Sequence, residues 1–150
     1  ASEKVNRAIQ GSAYAIGAQV EIKEEPGYLP LIQDKTLTGL FEENAARLFG
    51  REINVRGYEL MGATDAGDVS SIMPFIHVST GGYAGTAHSK DFTICDEEMA
   101  YVYPAKVMAL TVVDLLWDEA GLAKEVKAGY KPRFDRQGYV SFWSAFSKTK

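Results

Sequence analysis

Apolar residues recur at helical spacing at Val5, Ile9, Ala13 and Ile16, and Gly17 follows as a left-handed stop, so the pattern predicts a helix over 2–16. Residues 19–23 then alternate like a half-buried strand, and the run Glu24-Glu25-Pro26-Gly27 breaks it. A helix and strand of this size cannot bury both their faces, so they belong to a small second domain that is mostly absent. Pro30 keeps the next stretch extended. Asp34 is suited to cap a helix running to Phe49, with Leu37, Leu40, Phe41, Ala45 and Leu48 on one face and Gly50 as its stop. A short strand is expected over 52–56, a glycine-containing loop over 57–70, and a strand over 74–80 with Pro74 at its first position. A second loop covers 81–91. Asp96 caps a turn, Pro104 opens a long helix to Trp117 that is apolar nearly all round and therefore covered on several sides, and a more polar helix spans 118–128. The aromatic tail over 130–146 should pack against a surface.

This order of helices, strands and loops favours an α/β layered domain, in which ligands sit in loops beyond strand ends. Composition sets outer bounds. The 150 residues, 46% hydrophobic and 24% charged, suit an ordinary globular chain. No run of eighteen or so consecutive apolar residues occurs, and no apolar signal region follows the N-terminus, so membrane insertion and export are not expected. The chain also lacks an initiating Met, as a trimmed or excised piece would. Sixteen basic and twenty acidic residues give a net charge of −4 with no Lys/Arg cluster, which argues against nucleic acid. The single cysteine, Cys95, cannot form an internal disulfide, which fits a reducing cytoplasm. With His77, His88 and Cys95 as the soft ligands, the chain cannot build a His- or Cys-rich zinc site alone.

Two loops could carry chemistry. In Gly62-Ala63-Thr64-Asp65-Ala66-Gly67-Asp68-Val69-Ser70, small residues let backbone amides approach a ligand, and carboxylates and hydroxyls supply acceptors. The plain reading is a turn in which Asp65 or Asp68 caps a following helical turn. An EF-hand is rejected because its ladder of oxygen ligands and closing Glu are missing. The second loop, Ser79-Thr80-Gly81-Gly82-Tyr83-Ala84-Gly85-Thr86-Ala87-His88-Ser89-Lys90, has no Gly-Lys-Ser/Thr, so it is a poor phosphate loop. Its His88 can turn either ring nitrogen toward a metal or substrate, although a lone loop histidine is normally just hydrogen-bonded. His77, inside the expected strand, reads as a core or supporting histidine.

Thr64-Asp65-Ala66-Gly67-Asp68-Val69-Ser70, a strand opened by Pro74, and Gly85-Thr86-Ala87-His88-Ser89 together resemble the carboxy-terminal catalytic segment of zinc-dependent aminoacylases and carboxypeptidases. The B subunit of p-aminobenzoyl-glutamate hydrolase is the nearest likeness, with the patterns T-D-x-G-D-V-S and G-T-x-x-H-S. This chain has one residue between Thr86 and His88 where that pattern often has two. Residues 27–31 resemble the family's return from its lid domain, and 105–111 its last long helix, so the likeness covers roughly residues 5–128.

The resemblance implies the C-terminal part of a layered α/β zinc-peptidase-like catalytic domain over 27–150, preceded over 1–26 by a remnant of an α+β lid or dimerisation domain. It implies a cytoplasmic metal-dependent amidohydrolase cleaving N-acyl amino acids, such as aminobenzoyl-glutamate, or dipeptides. Two zinc ions, with manganese or cobalt as alternatives, would be held mostly by a missing N-terminal catalytic segment that also supplies the general base. His88 would be the one metal ligand here, Gly62, Ala63, Thr64, Gly85 and Thr86 would line the substrate pocket, and Asp65, Asp68 and Ser70 would brace the loop. No catalytic residue lies in this chain, which alone should be inactive; the complete protein would form a homodimer or hetero-oligomer. The alternative is a freestanding α/β binding or interaction module without catalysis.

Overall fold

In the computed structural model, residues 2–25, 27–54 and 62–145 are described. They fall into two compact units, one made of Ala1–Gly27 with Phe134–Lys150 and the other of Tyr28–Arg133.

In the first unit, α1 (Ser2–Ala15) ends where the pattern places its stop. Gly17 takes φ 72°, its amide donates to the Tyr14 carbonyl at 3.1 Å, and the Ala18 amide reaches back to Ala13 at 2.9 Å. This paired closure satisfies two carbonyls that the last turn would leave orphaned. No residue of α1 is buried, so its stripe of Val5 and Ile9 is bare. The strand expected over 19–23 is reduced to an isolated bridge residue at Lys23, and Val20 is exposed. Alternation alone does not make a strand without a neighbouring ladder. In the same unit α5 (Arg136–Ser144) is capped by Asp135, whose carboxylate accepts from the Gly138 amide at 2.6 Å. The rings of the tail pack on one another: Phe142 lies 5.0 Å from Phe134 and 5.1 Å from Trp143.

The second unit is built around two helices. α2 (Lys35–Phe49) starts at Asp34, whose carboxylate accepts from the Leu37 amide at 2.9 Å, and stops at Gly50 with φ 91°. Arg51–Ile53 then forms a 3-10 turn where a strand was expected over 52–56; residues 55–61, which complete that strand and open the following loop, lie outside the described residues. After a short helix α3 (Ala66–Ser70), residues 74–80 form no regular secondary structure and carry no ladder. Two bonds tether them, from the Asp34 amide to the Phe75 carbonyl and from the His77 amide to Gln33 Oε1, each 2.8 Å. The sheet among the described residues is a hairpin, β1 (Tyr83–Ala84) against β2 (Thr93–Ile94), antiparallel with Tyr83 opposite Ile94.

A π-helical turn at Glu98–Val102 leads into α4 (Tyr103–Gly129), with Pro104 in the first turn where its missing donor does no harm. α2 packs on α4: Phe49 stacks on Tyr103 at 3.7 Å between ring centres, and Ala45 and Val107 are buried. Asn44, fully buried, donates to Thr111 Oγ1 at 3.4 Å and to Asp114 Oδ2 at 2.9 Å. Among the described residues, α2 lies along one side of the first half of α4. Met108, Val112, Val113 and Leu116 stand more than half exposed, against the expectation of cover on several sides, because α2 occupies a single face. The boundary expected at Trp117 is real: Trp117 leaves helical geometry at ψ 153°, and Asp118, Glu119 and Ala120 follow with φ between 51° and 60°. By length and composition alone, the stretch Glu98–Gly129, which contains this break, is long and apolar enough to cross a membrane, and only 17% of its most apolar window is buried inside the protein.

Candidate functional site

α3 and its approach are fixed by small residues in contact with the chain's own backbone. A Cβ on Gly67 would coincide with the Leu29 carbonyl oxygen, so only glycine lets these segments touch. Ser70 and Ser71 have no exposed surface. Each hydroxyl donates to the Gly67 carbonyl, at 2.9 and 3.0 Å, and Ser70 Oγ also accepts from the Ile32 amide at 3.0 Å. The Tyr130 hydroxyl donates to the Ser70 carbonyl, and the Arg133 amide to that of Ser71 at 2.9 Å. Burial first, and the charge of Asp34 second, push the Tyr130 phenol above its ordinary value of 10.0. Asp65 stands at the N-cap of α3 but makes no capping bond; it is exposed and accepts from Thr64 Oγ1 at 3.0 Å. Thr64 is half-buried, Gly62 and Ala63 are exposed, and Asp68 is half-buried in the first turn of α3.

The second loop is the tip of the hairpin. Gly82 (φ 88°) lies against Ala100 and the Asp96 carbonyl, at distances of 2.5–2.9 Å from where a Cβ would stand, so the hairpin's base is fixed to the start of the long helical stretch. At the tip Gly85 takes φ 83°, and its missing Cβ leaves room for the Asp91 carbonyl. His88 itself has φ 65°. That conformation costs an L-residue about 1–2 kcal/mol and is held by its surroundings. Ser89 supplies them: its amide donates to the Thr86 carbonyl at 3.1 Å, and its hydroxyl contacts that same carbonyl at 2.5 Å and the Asp91 carboxylate. The Ser89 hydroxyl, foremost, holds the Asp91 carboxyl below its ordinary value of 3.8. Gly85, Thr86 and His88 are all exposed. Asp91 was not singled out from sequence, yet a Ser followed two residues later by an Asp in a glycine-rich turn is a recognisable local hydrogen-bonding pair.

His77, expected in a core or supporting role, is exposed, because the run around it joins no sheet that would bury it. Among the described residues, no hydrogen bond joins 62–65 to 85–91. An open hollow of about 320 Å3 lies along α2, lined by Gly39, Glu42, Glu43, Ala46, Arg51 and Asn54. None of the candidate site residues borders it.

The zinc implied by the resemblance takes about three protein ligands in a catalytic site. Among the described residues, no group of three or more His, Cys, Asp or Glu side chains could hold a metal ion. Exposed His88 offers a single imidazole. The described residues by themselves therefore do not fit a zinc centre.

No family model and no solved structure matches this chain. The chain is similar to a mouse (Mus musculus) protein named Xaa-Arg dipeptidase, 31% identical over 140 residues, which cover 84% of this chain and 32% of that protein. It thus spans about a third of the length of that relative. This likeness, distant and partial, supports a relationship to peptidases and amidohydrolases in general.

Proposed function

We propose that the chain is the carboxy-terminal segment of a metal-dependent hydrolase of amide bonds, acting on dipeptides or N-acyl amino acids such as aminobenzoyl-glutamate, and that His88 is its one contribution to the metal centre. The observation that carries the reading is the hairpin tip, which holds an exposed imidazole at φ 65° within Gly85-Thr86-Ala87-His88-Ser89. An imidazole so presented can enter a site whose other ligands and general base come from residues outside this chain. The relative's printed name supports amide or dipeptide hydrolysis in general terms. Zinc is the metal proposed, with Gly62, Ala63 and Thr64 at the substrate's edge. Within this reading residues 27–150 complete a layered α/β domain and 1–26 belong to a lid; the complete protein is cytoplasmic and oligomeric.

His88→Ala and His77→Ala in the complete protein separate the two histidines. Loss of a metal bond should abolish turnover and lower metal content in His88→Ala. His77→Ala should cost less than about 10-fold, below the usual range for a residue supporting a ligand. Full metal and near-normal kcat/KM in His88→Ala would sink the reading.

A further inference from the structure

The hairpin ladder ends at Ala84 and Thr93, so it does not itself set the backbone of the tip. Three features do. Gly85 folds onto the Asp91 carbonyl and closes the base of the turn. The Phe92 amide donates to the Ser89 carbonyl at 3.3 Å. The Ser89 hydroxyl, with one proton, lies between the Thr86 carbonyl and the Asp91 carboxylate. Of those two acceptors the charged carboxylate is the stronger. His88 stands between the tied residues, left-handed and exposed, in a conformation that side-chain-bearing residues rarely adopt unaided.

We infer that Asp91 is a positioning residue for His88, acting through the hydroxyl of Ser89 to tie the turn that presents the imidazole. The inference rests on the role proposed above for His88. Asp91 touches neither metal nor substrate in this scheme; it removes the alternative backbone states that would swing the imidazole away from a fixed coordination point.

The test reads the three-bond HN–Hα coupling and amide shift of His88 by NMR in the isotopically labelled 150-residue chain. Asp91→Ala and Ser89→Ala should move both toward values for an averaging backbone, with the melting temperature and the Thr93 and Ile94 shifts unchanged. Asp91→Asn, which keeps an oxygen acceptor, and Ser89→Thr, which keeps the hydroxyl, should restore them; Lys90→Ala should leave them alone. In the complete protein Asp91→Ala should lower kcat/KM about 10–100-fold, with most of it recovered in Asp91→Asn. An unchanged His88 coupling in Asp91→Ala overturns the tether. A changed coupling alongside full turnover in His88→Ala upholds the tether and removes the function assigned to the imidazole.

Discussion

Tyr130 shows how much one side chain can hold together: its hydroxyl reaches across to the Ser70 carbonyl, tying the segment after α4 to the end of α3. Its phenol is raised above 10.0, so the folded state favours the neutral form. The stabilising contribution is then complete below pH 10 and is lost as pH rises through the folded value. Urea unfolding of wild type should therefore show a fall in stability above pH 10 that is missing in Tyr130→Phe, which in turn should be about 1 kcal/mol less stable at neutral pH. Equal alkaline profiles would remove Tyr130 as the cause. Half of this arrangement was legible in the sequence. Gly67 and Ser70 stood out by their place in a small-residue motif, and both proved to be points of close backbone contact. Tyr130, sixty residues from Ser70, carried no local signal, because a hydroxyl bonding a distant carbonyl leaves no periodicity behind.

The three longest helices were legible to within a residue or two, since their signals are local: Asp34 and Gly50 bound α2, Gly17 ends α1, and α4 breaks at Trp117, whereas α5 lay inside what read as an aromatic tail. The strands were not. Pairing depends on a neighbour, and the stretches over 19–23 and 74–80 found none that would build a ladder, while Tyr83–Ala84, inside what read as loop, paired with Thr93–Ile94 just beyond it. The environment of α4 was also illegible, because an apolar helix reads the same whether or not anything covers it. Its two sides should now separate in mutation. Val107→Ala, at 3% exposure, should cost about 2 kcal/mol, whereas Val112→Ala, at 52%, should stay within about 0.5 kcal/mol. Equal losses in chemical denaturation would mean that the bare face is covered in solution.

At the scale of the molecule, the two units differ in what protects them. α1 has no buried residue, whereas α2 and α4 share Asn44, Ala45, Val107 and Thr111 in their contact. Amides of α1 should exchange with solvent hydrogen much faster than those of Ala45 and Val107. If Ile9 exchanges as slowly as Val107, the stripe of α1 has been covered by self-association. The left-handed break in α4 has a further consequence, in the chain's vulnerability to cutting. Residues 117–120 abandon helical geometry just where Trp117, 74% exposed, offers an aromatic side chain to a chymotrypsin-like protease. A protease must draw its target into an extended shape, and a backbone already out of the helix needs little opening to comply. Brief digestion should therefore yield a fragment ending at Trp117, identified by its mass, and Trp117→Ala should abolish it. Such a cut would leave the hairpin and α2 on one piece and Tyr130 on the other, so the bond to Ser70 would have to hold two chains together where it had braced one.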